Sequence, residues 1–518
     1  VVEKSPSRSA RCRRHVAISR QPADYEGGSL AFPHELPQTD SKYKVHGKAV
    51  EVRELARQRS DVTYVGAAIA VGLGRQPPSI RLHTSSSLSK TFAPLVSLLT
   101  GVAFLLCGNA LLGTMIPLRG LYEHFTPVII GLMGSSYNLG FVVGCLACPY
   151  LILRAGHIRA YSTLVSLAAA TTLVHPMVVD PLVWIGARSI TGFCLAGLYL
   201  IIESWLNDRA TNDNRGLIMS VYIVVNFLTT TAGQLMILLA PIQHFELFAA
   251  ASLLVSLAVV PVALTTSAQP APIAIVQFRP LRLLKMAPVG LAGTFMIGVA
   301  NGAFWSLVTV FAIGRGLSAN EAAIFLSIAV VGGALMQWPI GRLSDAHDRR
   351  LVLASVMVLS AGASLLTVLL PLGGTGLFVM AFLLGTVVLT SYSVAAAHAY
   401  DRAEKSAYVE MATGVLLANG VGAVFGPLIA SFAMESWGDG SLFVFMAVVE
   451  LLLAAFIALR WRIRPSRPDD PKEAYELYAT APVGGAIPPE APSPDDPILQ
   501  TPIVPAPEPK EQAEADSP

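Results

Sequence analysis

Between Ala93 and Arg460 the chain repeats one pattern about a dozen times: roughly 20 apolar residues, then a short polar turn. An α-helix rises about 1.5 Å per residue, so each run matches a bilayer core of roughly 30 Å. Backbone inside lipid must satisfy its own hydrogen bonds, which leaves helices or closed barrels. Runs of this length are too long for barrel strands. The pattern therefore predicts an all-α integral membrane protein.

Composition agrees, with 53% hydrophobic and 14% charged residues, where soluble domains carry about a quarter charged. Basic residues gather near the start and acidic ones near the end, so the net charge of +2 says nothing about partners. No basic-aromatic pattern points to nucleic acid. Five cysteines are present, and Cys145-x-x-Cys148 sits inside an apolar run, where small residues at a helix contact are the expected reading rather than a metal or redox pair. No H-x-x-H or D-x-x-x-D set and no phosphate-binding G-x-x-x-x-G-K-[ST] loop occurs. No catalytic residue, metal site or cofactor is expected. An integral-membrane enzyme or a sensor without flux stands as the alternative to a transporter.

Residues 1–90 lack membrane-length hydrophobicity and read as a disordered basic extension, with a stretch translated from upstream of the native start preferred over a genuine arm. Residues 465–518, rich in Pro, Ala, Asp and Glu, read as a disordered acidic tail. A polar gap near the centre divides two sets of six spans. The expected organisation is a bundle at 91–268, a cytoplasmic linker at 269–286 and a bundle at 287–464. The spans are expected at 93–118, 127–153, 158–179, 182–206, 216–240, 246–267, 287–312, 321–341, 350–371, 375–399, 408–433 and 441–461, the third and ninth being least distinct. With both termini cytoplasmic, the outer loops keep only Arg119 and Arg315, while Arg154, Arg159, Arg209, Arg342, Arg349 and Arg350, among others, fall inside. That asymmetry follows the positive-inside rule.

The halves echo each other. Span one carries Asn109 and ends Leu118-Arg119-Gly120-Leu121; span seven carries Asn301 and ends Gly314-Arg315-Gly316-Leu317. After span two comes a loop with Pro149, Leu153, His157 and Arg159, and after span eight one with Pro339, Leu343, His347 and Arg349, matching at a constant offset. Two repeats around a central pathway is a transporter plan. The segment Gly341-Arg342-Leu343-Ser344-Asp345-Ala346-His347-Asp348-Arg349-Arg350 resembles the loop signature of the major facilitator superfamily, G-x-L-x-D-R-x-G-R-R, with Ala346 and Asp348 as departures. In the first-half copy Leu153 stands where the acid is expected. Arg188-Ser189-Ile190-Thr191-Gly192 is similar to the family's R-x-x-x-G, and Gly420, Gly422, Gly426 and Pro427 to its Gly-Pro-rich helix, whose first-half counterpart is reduced to Ala232-Gly233. The runs Glu203-Ser204-Trp205-Leu206-Asn207-Asp208 and Ala397-His398-Ala399-Tyr400-Asp401 look like an uncharacterised bacterial branch called YcaD-like.

The resemblance implies twelve helices in two pseudo-symmetric six-helix bundles, in a bacterial cytoplasmic membrane, moving a small molecule by alternating access as a monomer. Efflux and metabolite uptake both fit. Ionisable residues in spans are functional candidates. Arg188, Asn109, Asn301, Trp305 and Tyr392 are expected to border the substrate cavity. Glu203 and His398 are expected to couple protons, and Asp345, Arg349, Arg350 and Asp401 to form a cytoplasmic gate. Asp345 is expected to meet Arg349 and to approach the start of span five near Gly216. Glu450, in span twelve, is expected outside the cavity.

Overall fold

The computed structural model describes residues 44–45, 48–49, 86–210, 215–264, 279–403 and 407–463. The two tails expected to be disordered, and most of the central linker, lie outside the described residues. Residues 1–82 and 83–518 separate as two units. In the first, a two-residue antiparallel ladder pairs Lys44–Val45 with Lys48–Ala49. The second is the helical unit.

Its helices are α1 (Ser86–Tyr122), α2 (Pro127–Ala155), α3 (His157–Met177), α4 (Pro181–Arg209), α5 (Arg215–Leu235, continued by a 3₁₀ turn, Met236–Leu239) and α6 (Glu246–Ala263, interrupted at Ala258). After a short helix, Pro280–Met286, come α7 (Pro288–Gly314), α8 (Ala319–Ala346), α9 (Arg349–Leu369), α10 (Gly374–Tyr400), α11 (Tyr408–Trp437) and α12 (Ser441–Ile463). Eleven are long and apolar enough to cross a membrane. The remaining one, α3, has 21 residues, but its Ser, Thr and His content lowers its hydropathy. It occupies the third expected span. The first helix begins at Ser86, inside the stretch expected to lack structure.

Boundaries follow local chemistry. Asp180 caps α4, its carboxylate accepting from the Leu182 and Val183 amides at 2.9 and 3.1 Å, and Pro181 supplies the preset first φ. Ser318 and Glu321 form a capping box on α8. Only Gly156 separates α2 from α3; its φ of +81° is left-handed territory that glycine enters without a Cβ penalty. Asp348, a departure from the loop signature, caps α9 by accepting from the Arg350 amide at 3.0 Å.

Packing is duplicated. In the first half α2 lies along α4, α1 against α5 and α6, and α3 against α4 and α6; in the second α8 lies along α10, α7 against α11 and α12, and α9 against α10 and α12. Glycines make the closest approaches at matching points. A methyl on Gly192 would collide with the Tyr137 carbonyl oxygen and one on Gly385 with that of Ala329. Gly233 abuts the Cys107 carbonyl as Gly426 abuts that of Val299. The first half thus retains the Gly-Pro helix's contact where its motif is almost erased. Cys148 packs its sulfur against Phe193 and Gly197 of α4, so the C-x-x-C is a helix contact.

These pairs set the register of the repeat at 192 positions through α3 and 193 from α4 onward. The loop match of His157 with His347 is therefore displaced by two: His157 and Arg349 are each the first residue of their helix, α3 and α9. The slip arises because repeated Leu, His and Arg letters can be matched without regard to helix phase.

The halves meet along α2–α11, α5–α8 and α1–α7. At the end opposite the basic loops one apolar core crosses between them, joining Met115, Ile116 and Met133 to Phe304, Leu326 and Met434. Gly131 and Gly134 of α2 fit directly against Ser431 and Ser306 there. At the basic end there are two separate cores, one around Tyr161, Leu198 and Leu206, the other around Leu353, Val394 and Met411.

Candidate functional site

At mid-depth, between the halves, lies a cavity enclosing about 1120 Å³, mouth included. Asn109, Arg188, Asn301, Trp305 and Tyr392 all face it. Helix phase explains why α4 contributes twice: Arg188 and Tyr199 are eleven residues apart, which at about 100° per residue returns to nearly the same face after three turns. Both line the cavity.

The wall is a near-duplicate of itself. In the repeat register Leu106, Asn109, Ala110, Gly113 and Thr114 of α1 correspond to Gly298, Asn301, Gly302, Trp305 and Ser306 of α7, and all ten line the space. Gly134 pairs with Leu326, and Tyr199 with Tyr392. Arg188 breaks the symmetry. Its counterpart is Ala381, and Tyr137, over whose ring the guanidinium carbon sits 4.3 Å from the centroid, corresponds to Ala329. Gly192, one turn after Arg188, explains the placement: it lets α4 approach the Tyr137 backbone, which brings the Tyr137 ring under Arg188.

Arg188 is 8% exposed; among the described residues its Nη1 has no hydrogen-bond partner and it is the only charged residue in the cavity wall. Trp305 Nε1, the Tyr392 and Tyr199 hydroxyls and Asn419 Oδ1 also lack protein partners. Buried polar groups left this way cost free energy until a ligand or water satisfies them. Tyr137 is not among the residues expected at the site; the polar cluster Ser135-Ser136-Tyr137-Asn138 inside an apolar run is the available signal.

Glu203 and His398 do not face the cavity. Glu203 lies fifteen residues beyond Arg188, about 22 Å along the helix, buried and within electrostatic reach of Tyr199, Tyr222 and Tyr392. His398 is buried at the basic end beside Arg349, Arg350, Arg402 and Asp348.

Of the residues expected at the gate, Asp345, Arg349 and Asp401 meet in one corner. Arg349, 2% exposed, donates to Asp345 Oδ1 at 2.8 Å, to Asp401 Oδ1 at 2.7 Å and to the Ala397 carbonyl at 3.1 Å. It ties the ends of α8 and α10 to the start of α9. Asp345 ends α8, where the helix dipole disfavours a carboxylate, and Arg349 offsets that. Arg350 lies 3.6 Å from Asp348. The first half builds the same corner with other residues: His157 Nε2 lies 3.3 Å from Ser204 Oγ, with Asp208 nearby, and these match Arg349, Ala397 and Asp401.

Glu450 faces α9 rather than the cavity, and Ser360 Oγ donates to its Oε1 at 2.6 Å. A glutamine presents the same acceptor to Ser360, so Glu450→Gln is expected to change stability by less than about 1 kcal/mol, whereas Glu450→Lys should prevent folding. Melting curves of the detergent-purified variants check this; a large loss in the glutamine variant would give the charge itself a role.

A family model of the Major Facilitator Superfamily matches residues 290–494. An uncharacterised MFS-type transporter, YcaD, of Escherichia fergusonii is 28% identical over 377 residues, covering 72% of this chain and 96% of the relative. The second half of the chain thus matches the superfamily's model, and the whole helical region is similar to a transporter of that type. A second superfamily relative, an uncharacterised transporter of Yersinia pestis, is 29% identical over 388 residues, covering 74% of this chain and 98% of its own. Among solved structures the nucleoside transporter NupG superposes with a TM-score of 0.59 at 14% identity, covering 72% of this chain and all of that one. A bacterial homologue of the human lysosomal transporter Spinster gives 0.59 at 14% identity, with 71% and 96% covered. These superpositions show that the helical unit shares the fold of those two transporters, and the chain is a multi-pass membrane protein.

Proposed function

We propose that the protein is a secondary transporter that carries a small polar solute across a bacterial cytoplasmic membrane by alternating access. The observation that carries this reading is the cavity itself: its wall is built from equivalent positions of two repeats, so rocking of the halves exposes one set of groups to either side in turn. The continuous apolar core at one end and the two separate cores at the basic end support a state closed outward and parted inward. Asn109, Arg188, Asn301, Trp305 and Tyr392 are the proposed substrate contacts. The Asp345, Arg349, Arg350 and Asp401 corner is the proposed inner gate. Glu203 and His398, away from the substrate, are proposed proton carriers.

The test is counterflow in proteoliposomes loaded with a bacterial metabolite extract, read by mass spectrometry. Exchange of a solute above the rate of protein-free vesicles is expected, with concentrative uptake lost on adding a protonophore. Folded protein that exchanges nothing overturns the transport reading, and accumulation that survives the protonophore overturns proton coupling. For orientation, Ala346→Cys and Asn320→Cys sit at opposite ends of α8 and both are exposed. An impermeant maleimide applied to intact cells should label position 320 and spare 346; the reverse would invert the topology.

A further inference from the structure

We infer that the solute is a small organic anion whose acidic group is held by Arg188, with its uncharged polar end against the α7–α11 side. This rests on the cavity being the transport site.

Three observations carry the inference. Among the described residues the cavity wall contains one charged residue and no acid, so none of them offers Arg188 a carboxylate there. Its electrostatic neighbours are the Tyr137 ring, which it covers, and His175 of α3, whose Nδ1 donates to the Thr171 carbonyl at 2.9 Å. Neither supplies a negative charge at neutral pH. A guanidinium this deeply buried needs an anion, and its fork of donors suits a carboxylate or phosphate.

The second is the broken repeat. Asn109 with Asn301 and Tyr199 with Tyr392 give both halves alike neutral groups, while Arg188 over Tyr137 faces Ala381 and Ala329 equivalents that are small and fully buried. A binding site duplicated except for one cation fits a solute that is itself polarised, charged at one end. The third is the donor balance. Trp305 Nε1 can only donate, and it lacks a protein partner, as does the Tyr392 hydroxyl. The far wall therefore suits carbonyl or hydroxyl oxygens. An ammonium group would find no acid in the wall, so amino acids and polyamines are disfavoured.

The experiment uses binding, so that it stands apart from flux. Purified protein in detergent is titrated with sodium gluconate, lactate, N-acetylglycine and glycerol 3-phosphate. Glucose, lactamide, N-acetylglycinamide and glycerol serve as their uncharged counterparts, and melting temperature is followed. At least one anion is expected to stabilise the wild type at concentrations where its counterpart does not. Arg188→Gln should weaken that anion about 10- to 100-fold, the loss of a charge-assisted contact, and Arg188→Lys should recover part of it. The carboxylate and phosphate members tell which acid is preferred. If no anion stabilises the wild type beyond its counterpart, or if a folded Arg188→Gln keeps the same preference, the inference falls. Anion binding without exchange in vesicles would instead remove the transport reading and leave the anion site standing.

Discussion

Arg349→Ala is expected to destabilise the protein by about 3–5 kcal/mol, the cost of removing one partner from a buried ionic group. Arg349 reaches Asp345 on α8, Asp401 after α10 and the Ala397 carbonyl together. Its loss leaves Asp345 and Asp401 without this cation, at a corner where Asp345 already opposes a helix dipole. Lysine keeps the charge but offers one point of contact in place of a fork, so Arg349→Lys should fall between. Removing the acids as well, in Asp345→Asn, Asp401→Asn, Arg349→Met, should regain much of the loss. Thermal melts of the purified variants measure this. An alanine variant within about 1 kcal/mol of wild type would mean the corner is solvated and exerts little hold on either helix.

Gly192→Leu is expected to abolish folding, and Gly192→Ala to cost about 1–3 kcal/mol, the range for forced overpacking. The obstacle is backbone, the Tyr137 carbonyl, which cannot rotate aside as a side chain could. To admit a side chain α4 must move off α2, and the Tyr137 ring then leaves its place beneath Arg188. The damage should therefore reach the cavity as well as stability. Gly186, six residues earlier on α4, is the control: nothing lies within 4 Å of a Cβ there. Gly186→Ala should be neutral or stabilising by up to about 1 kcal/mol, because alanine is the better helix former. Equal behaviour of the two alanine variants would refute the close-approach argument.

The sequence made span positions legible because the bilayer imposes one length on every helix. What escaped is where azimuth and exact depth decide which residues share a space. Arg188, Asn109, Asn301, Trp305 and Tyr392 were all recognisable as polar or aromatic residues at mid-span, and they share the cavity. Glu203 and His398 were equally recognisable, yet neither faces it: Glu203 lies too far along α4, and six residues on from Tyr392 α10 has turned about 240° away. Tyr137 went unnoticed because a tyrosine in an apolar run is unremarkable until Arg188 is found above it. The Arg349 corner was readable from its i,i+4 spacing with Asp345, although the two sit on separate helices joined at His347. Its first-half twin was not, because His157, Ser204 and Asp208 share no motif with Arg349, Ala397 and Asp401 and become comparable only once helix phase fixes the register.

The shared apolar core at the end opposite the basic loops has a thermodynamic consequence. Among the described residues the polar contacts there, the Arg119–Glu123 ion pair and His244 beside Glu246, stay within one half, so parting the halves at that end exposes chiefly hydrocarbon to water. Such exposure raises heat capacity, and its free energy weakens on cooling while remaining largely indifferent to ionic strength. The basic end, with its arginines and aspartates, has the opposite character. Temperature and salt therefore act on different ends of the same molecule: chilling loosens the closure at the apolar end, and added salt screens the charges at the basic one.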